Sequence, residues 1–301
     1  MSAVAGLAGL GPGELYSLAC GLCWAVAVIL FKRAGEQLPP FALGLTKNSL
    51  ALGLLLPTAW LFSGPLPALP ASSLGLAALS GLLGIALGDT LYFRALNRIG
   101  AARIAAAQTL YSPFVIVLSL AFLGERLLPV QWWGVVAVLA GIALVTWEPA
   151  QASVSRRALL GGVLLAITSV LAMALGVVIA KPLLERHDFL WIVCLRVAAG
   201  VLGMSLWLLH GETRQRLQQA LRAVHDWRPI LLGGFLGTYV SMLLWLAGYK
   251  YTQASIAAVL NELAAVFIVL LAAVWLRERV SRRQLAGIAL ALLGVLRVLI
   301  V

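Results

Sequence analysis

Glu262 is a carboxylate in a stretch of sequence that is otherwise almost entirely apolar. The stretch reads LNELAAVFIVLLAAVWLRER from Leu260 to Arg279, and Asn261 directly precedes the carboxylate. Glu262 lies about eight residues, or roughly 12 Å, into its apolar segment, which is too deep for a short side chain to reach water. Two interpretations follow. Glu262 either lines a cavity and binds substrate or a proton, or it makes a structural hydrogen bond to a neighbouring helix.

Three more charged residues lie within apolar segments and raise the same question. Asp89, with Tyr92 in the same GDTLYF stretch, is a second candidate for a cavity. The alternative for Asp89 is an ion pair with a basic residue. Lys47 and Arg196 occupy equivalent positions in two segments, where they either contact an anionic group of a substrate or pair with acidic partners and anchor the fold.

Three aromatic residues are candidates for the walls of a binding site, namely Trp24, Tyr111 and Trp245. The alternative for each is a lipid-facing or interfacial position, which such side chains also favour. The histidines fall in loops or at segment ends, so no intramembrane dyad or metal-ligand cluster can be assembled. No nucleotide-binding motif is present, and the sequence predicts no cofactor, no metal site and no enzyme activity.

The composition places these residues in a membrane. Hydrophobic residues make up 62% of the chain, charged residues 11%, and the mean hydropathy is +1.01. Apolar segments of about 20 residues, the length that crosses a bilayer, follow one another along the sequence. The ten predicted spans are 15–33, 40–62, 73–97, 101–123, 130–147, 158–180, 189–209, 229–250, 254–276 and 284–301. We therefore expect an all-α integral membrane protein.

The basic residues predict the orientation of these spans. The net charge is +11, but the basic residues are scattered among short loops, which indicates membrane topology and not a nucleic-acid partner. The loops after spans 1, 3, 5, 7 and 9 carry Lys32, Arg33, Arg94, Arg98, Arg103, Arg156, Arg157, Arg214, Arg216, Arg222, Arg228, Arg277, Arg279, Arg282 and Arg283. The opposite side carries only Arg126, Lys181, Arg186, Lys250 and Arg297. The richer side is predicted to be cytoplasmic, with both termini outside a cell inner membrane.

The two halves of the chain resemble each other. ARIAAAQTLYSPFVIVLSLAFLGER aligns with ASIAAVLNELAAVFIVLLAAVWLRER, and an offset of 153 continues through Glu125 with Glu278 and Gly134 with Gly287. Five-helix units at 1–150 and 151–301 are therefore predicted, joined near residues 149–155. Because five is odd, the second unit enters the membrane in the opposite sense, and such inverted repeats are typical of alternating-access transport.

With these motifs the chain resembles the EamA-type transporters of the drug/metabolite transporter superfamily. The residues that carry the resemblance are Trp24, Tyr111-Ser112-Pro113, Gly124-Glu125-Arg126, Gly134 and Gly141, with Arg277-Glu278-Arg279, Gly287 and Gly294 in the second copy. The family implies ten helices in two domains but leaves the substrate open. Its better-known members have both termini in the cytoplasm, which the basic residues here contradict. Pro113 is replaced by Ala264 or Ala265, so the ninth span is expected to lack the kink of the fourth.

The predicted function is a secondary transporter, an exporter of small metabolites, amino acids or drug-like solutes driven by a gradient. A lipid-handling or flippase-like assembly subunit is the main alternative, and an intramembrane enzyme is a weaker one. The expected partners are a small solute and membrane lipids. The chain is predicted to be a monomer or a weak homodimer.

Overall fold

The structure is a computed structural model that describes residues 10–99, 101–146, 156–275 and 281–299. All regular elements in these ranges are helices. The predicted join at 149–155 and the second-copy Arg-Glu-Arg motif at 277–279 lie outside the described residues. Helices dominate because the backbone of a spanning segment must satisfy its own hydrogen bonds in hydrocarbon.

The α-helices of the first half are α1 (Pro12–Gly35), α2 (Pro40–Ser63), α3 (Ala71–Gly81), α4 (Gly88–Ile99), α5 (Ala101–Gln108), α6 (Tyr111–Phe122) and α7 (Pro129–Thr146). Those of the second half are α8 (Arg156–Arg186), α9 (Phe189–Ser205), α10 (Gly211–Ala223), α11 (Arg228–Gly234), α12 (Ser241–Tyr251), α13 (Ala254–Asn261), α14 (Ala264–Trp275) and α15 (Arg282–Val298). Wider π-helical segments, Leu82–Leu87 and Phe235–Val240, join α3 to α4 and α11 to α12. A short 3-10 segment, Leu206–Leu209, follows α9.

Several helical stretches are long and apolar enough to cross a membrane. Within the described residues they are Pro12–Gly35, Ala71–Ile99, Pro129–Thr146, Leu159–Arg186, Arg228–Tyr251 and Ala254–Leu271. Large apolar side chains such as Phe62 and Trp133 stay 80% and 75% exposed, as expected of residues that contact lipid. The chain is therefore a multi-pass membrane protein, while the number of ten spans remains a prediction.

The backbone breaks at matching places in the two halves. The bounds of α5 and α6 reappear 153 residues later as those of α13 and α14, and so do the bounds of the two π-helical segments. Between α13 and α14 the backbone hydrogen bonds join residues three apart instead of four. Leu263 N donates to Leu260 O at 3.1 Å, and Ala265 N donates to Glu262 O at 3.1 Å. These correspondences support the two-repeat architecture in the backbone itself.

The expectation that the ninth span lacks the kink of the fourth was wrong. The ninth span is interrupted at Glu262 and Leu263, as the fourth is at Thr109 and Leu110. Pro113 does not cause the interruption, because it lies in the first turn of α6, where a backbone N–H has no intrahelical partner in any case. The second half therefore keeps the break without a proline.

The helices α7 and α15 pack so closely that their glycines face backbone atoms. A methyl group at Gly134 would lie 2.7 Å from the carbonyl oxygen of Gly294, and one at Gly141 would lie 2.6 Å from that of Gly287. The residue numbers rise along one helix as they fall along the other, so the two helices are antiparallel. Gly134 and Gly287 are partners at the offset of 153, and this exchange of contacts is the geometry of an inverted repeat.

Candidate functional site

Four of the predicted site residues come together in one partly buried group. Tyr111 begins α6, Arg196 lies in α9, Trp245 lies in α12, and Glu262 separates α13 from α14. Ser112 and Tyr249 join them through hydrogen bonds and ring contacts. We call Tyr111, Ser112, Arg196, Trp245, Tyr249 and Glu262 the central polar cluster.

The interruption of two helices positions Glu262 against Ser112. The Ser112 hydroxyl is buried and lies 2.9 Å from Glu262 Oε1 and 3.0 Å from the carbonyl oxygen of Ala258, so its proton is shared between them. Glu262 itself is partly exposed. A partly exposed carboxylate at a helix break, bonded to a hydroxyl, is able to take up or release a proton or a cation.

Asn261 stands beside this carboxylate but points its amide along its own helix. Its Nδ2 donates to the carbonyl oxygen of Ala257 at 2.8 Å. Its Oδ1 is buried and has no hydrogen-bond partner in the described part of the chain. Asn261 therefore leaves one acceptor for a ligand or a water molecule.

An aromatic chain links the two halves of the cluster. The hydroxyls of Tyr111 and Tyr249 are hydrogen-bonded at 2.9 Å. The ring of Trp245 meets that of Tyr249 edge-on, with 5.4 Å between centroids. The Arg196 guanidinium lies 5.1 Å from the centre of the Trp245 ring, within the range of a cation–π contact.

Arg196 is the most buried charge of the cluster. It is only 1% exposed, and its Nε and Nη1 atoms have no hydrogen-bond partner among the described residues. Its backbone and guanidinium lie against glycines of the first half, since a methyl group at Gly84 would come within 2.8 Å of Arg196 Nη2. The guanidinium fits at this position because Gly84 has no side chain.

Lys47 and Asp89 form a separate ion pair, with 3.9 Å between Lys47 Nζ and Asp89 Oδ2. Asn48 reinforces it by donating to the same Asp89 oxygen at 3.1 Å. For both residues this geometry corresponds to the alternative of mutual pairing that the sequence left open. A direct role of either residue in ligand binding stays a prediction.

Trp24 and Tyr92 are not brought into the central polar cluster. Trp24 is 38% exposed and contacts Phe31 edge-on along α1. Tyr92 packs with Ile99, Ile104 and the residues around them. Tyr92 lies one turn after Asp89 on α4, and the assignment of Trp24 and Tyr92 to a binding site remains a prediction.

Sequence reasoning missed Glu125 as a connection between the two halves. Its carboxylate accepts hydrogen bonds from the backbone N–H groups of Ala254 at 2.6 Å and Ser255 at 3.0 Å, and from the Ser255 hydroxyl at 2.7 Å. Gly124, with φ of 66°, turns the chain so that Glu125 reaches the first turn of α13. The motif Gly124-Glu125-Arg126 was visible in the sequence, but its partner was not.

A cleft of about 510 Å³ opens beside the cluster, at the ends of α6, α8 and α12. Lys181 connects the cleft to the central polar cluster. It pairs with Glu185 at 2.8 Å and donates at 2.7 Å to each of the carbonyl oxygens of Tyr249 and Thr252. Arg186 and Lys250 line the same cleft.

Antiparallel repeats, interrupted helices and charges buried between the two halves are features of membrane transport proteins. The chain belongs to the EamA-like transporter family, whose model matches residues 11–147 and 160–300.

Curated relatives and a solved structure agree with this family. An uncharacterized transporter from Archaeoglobus fulgidus is 21% identical over 95% of this chain and 97% of its own. The uncharacterized transporter YvbV from Bacillus subtilis is 27% identical over 70% of this chain and 67% of its own. A crystal structure of a protein superposes with a TM-score of 0.77 at 18% identity and covers 95% of both chains, which supports the fold alone.

Proposed function

We propose that the protein is a secondary transporter that exports a small organic solute, such as a metabolite, an amino acid or a drug-like compound, by alternating access. The observation that carries this proposal is the central polar cluster. Tyr111 and Ser112 come from the first half of the chain, whereas Arg196, Trp245, Tyr249 and Glu262 come from the second. A solute bound here contacts both halves, so a movement of one against the other changes its surroundings.

Two contacts within the cluster bridge the halves and therefore respond to such a movement. They are the bonds from Ser112 to Glu262 and between the hydroxyls of Tyr111 and Tyr249. Both link the breaks or ends of helices, where a backbone changes direction at low cost. A solute that replaces one of these contacts stabilises a different arrangement of the halves, which couples binding to the conformational change.

Glu262 is the carboxylate of the cluster and our choice for the coupling group. It exchanges a proton or a cation as the site changes access, and the gradient of that ion supplies the energy. The cluster holds no histidine and no pair of carboxylates, which supports a role in binding and not in catalysis.

We place the protein in the cytoplasmic membrane, with both termini outside, ten spans, repeats divided near residue 150, and a monomer or weak dimer as the working form. The distribution of basic residues supports the orientation. The offset of 153 between matching helix bounds supports the repeats.

The test is a comparison of released compounds from cells that express the protein with cells that do not. A small soluble compound that accumulates outside only the expressing cells supports export and names the substrate. The purified protein in liposomes should then move that compound. A change in the distribution of lipids between leaflets, without release of any soluble compound, would replace this proposal by the lipid-handling alternative.

A further inference from the structure

Arg196 is a buried cation that the described protein does not neutralise. It forms no ion pair among the described residues, and its Nε and Nη1 atoms are without hydrogen bonds. A guanidinium removed from water and left without an anion is strongly unfavourable. Trp245 compensates only in part, because an aromatic face supplies no acceptor for the N–H groups.

Lys47, the equivalent cation of the first half, has a counter-ion that Arg196 lacks among the described residues. Lys47 corresponds to Arg196, and the two backbones lie against corresponding glycines. A methyl group at Gly234 would contact Lys47 Cα at 3.8 Å, and one at Gly81 would contact Arg196 Cα at 3.1 Å. Lys47 has Asp89 as its counter-ion at 3.9 Å. The two halves therefore place a cation in the same way, but only one of them supplies its anion.

Met242 occupies the position that corresponds to Asp89 at the offset of 153. It packs into the same hydrophobic cluster as Val193 and Val197, which lie next to Arg196 on α9. A thioether is at best a weak acceptor and carries no charge. The cation of the second half, Arg196, therefore has the apolar Met242 at the position where Lys47 of the first half has the carboxylate of Asp89.

The surroundings of Arg196 restrict the charge of a ligand. Ser112, which binds Glu262, directly follows Tyr111, and Tyr111 is linked through Tyr249 and Trp245 to the guanidinium, so a carboxylate belongs to the same site. The guanidinium has no ion pair among the described residues and balances the single charge of a carboxylate, whereas a phosphate monoester would bring a second negative charge next to Glu262. A carboxylate also matches the planar donor geometry of Arg.

The charges that line the cleft beside the cluster also favour a negatively charged solute. Its acids are already engaged, since Glu125 binds the first turn of α13 and Glu185 pairs with Lys181. Its other cations, Arg186 and Lys250, form no ion pair in the described ranges, although Lys250 lies over two aromatic rings. The excess positive charge raises the local concentration of anions next to Tyr249.

We propose that Arg196 is the anchor of the solute site and that the solute carries one carboxylate. The guanidinium binds this carboxylate along one of its edges, through Nε or Nη1, each of which now lacks a partner among the described residues, between Trp245 and the hydroxyls of Tyr111 and Tyr249. The inference rests on the proposed transport function, because it names the chemical class of the solute for the same site.

The first experiment needs no knowledge of the solute and introduces the missing anion. Met242→Asp places a carboxylate at the position of Asp89, and Met242→Leu is the control for loss of the thioether. In the purified full chain, Met242→Asp should raise the melting temperature relative to Met242→Leu, because Arg196 gains a counter-ion. With Arg196→Met in place, the same aspartate should lower it. Equal effects of the aspartate in both backgrounds would overturn the proposal.

The second experiment measures the preference for a carboxylate with probes that share one apolar body. The probes are 3-phenylpropanoate, its neutral amide 3-phenylpropanamide, and L-phenylalanine as a zwitterion. The two carboxylates should raise the melting temperature of the wild type more than the amide does. Arg196→Met should weaken carboxylate binding about tenfold to hundredfold, the loss expected for a charge-assisted hydrogen bond. A carboxylate that stabilises the protein no better than its amide would contradict the inference.

The release assay separates failure of this inference from failure of the transport function. If expressing and non-expressing cells release the same compounds, the transport function itself fails. If the protein exports a compound that lacks an anionic group, and Arg196→Met exports it at the wild-type rate, only the role of Arg196 is wrong.

Discussion

Ser112 donates a hydrogen bond to Glu262 across the boundary between the two halves of the chain, with 2.9 Å between the hydroxyl and Oε1. Glu262 lies in the interruption of the ninth span, and Ser112 is the second residue of the helix that follows the interruption of the fourth. The bond therefore joins two backbone breaks, and a change in the protonation of Glu262 acts directly on the contact between the halves.

Glu262→Gln should leave a folded, membrane-inserted protein that has lost most of its flux. The amide keeps hydrogen-bonding capacity towards Ser112 but cannot exchange a proton or hold a cation. The measurement is solute release from cells at matched expression, followed by the response of the rate to an imposed pH gradient in liposomes. The wild type should respond to the gradient, whereas the variant should at most exchange solute for solute.

Glu212→Gln is the matched control for this substitution. Glu212 has an 87% exposed side chain on α10, where it pairs with Arg216, so its loss should leave transport unchanged. Gradient-driven transport at the wild-type rate by Glu262→Gln would show that Glu262 only makes a structural hydrogen bond in its helix.

Glu125→Ala should lower the stability of the protein through loss of a helix cap. Three hydrogen bonds from the first turn of α13 end on this carboxylate. We expect a loss of about 2 kcal/mol, the upper range for an N-cap residue, because the donors remain without partners. Thermal unfolding in detergent measures the effect.

Glu185→Ala is the comparison, since Glu185 lines the same cleft with a side chain that is 46% exposed. Its buried partner Lys181 keeps the carbonyl oxygens of Tyr249 and Thr252 as acceptors, so the loss should be smaller, about 1 kcal/mol. Equal melting temperatures for the two variants would mean that the cap on α13 does not stabilise the fold.

Gly141→Ala should destabilise the contact between α7 and α15. The added methyl group would lie 2.6 Å from backbone atoms of Gly287 and Ala291, which cannot move without separating the helices. The expected loss is about 1–3 kcal/mol, as for other overpacked interiors. Gly53→Ala is the control, because no atom lies within 4 Å of its added methyl group. That substitution should stabilise the helix by about 0.5–1 kcal/mol.

A reporter fused after Val301 should read as extracytoplasmic, and a cysteine on α10 should be protected from an impermeant reagent in intact cells. Gln218→Cys is the test position, and Gln253→Cys, exposed at the cleft, should react. Gln37 binds Asp226 at 3.1 Å, which places the connections before α2 and before α11 on one face, the face predicted to be cytoplasmic. The opposite labelling pattern would invert the topology and leave the fold intact.

The sequence predicted the existence of the repeats and the depth of the charges, because both depend on counting along one chain. Whether Asp89 faces a ligand or Lys47 depends on how two helices rotate against each other, which a single span does not encode. For the same reason Ser112 and Tyr249 could not be assigned, although Ser112 directly follows a predicted residue. The break at Glu262 was missed because it comes from tight backbone hydrogen bonds and not from a proline.

The wide turns at Leu82–Leu87 and Phe235–Val240 have a consequence for the direction in which side chains point. A π-helical turn contains an additional residue, and each residue of an α-helix corresponds to a rotation of about 100°. If the second wide turn tightened to α-helical spacing, α12 would turn about its own axis by that angle. Trp245 would then move away from Arg196. A small change of helical pitch would thus change which side chain of α12 the guanidinium contacts.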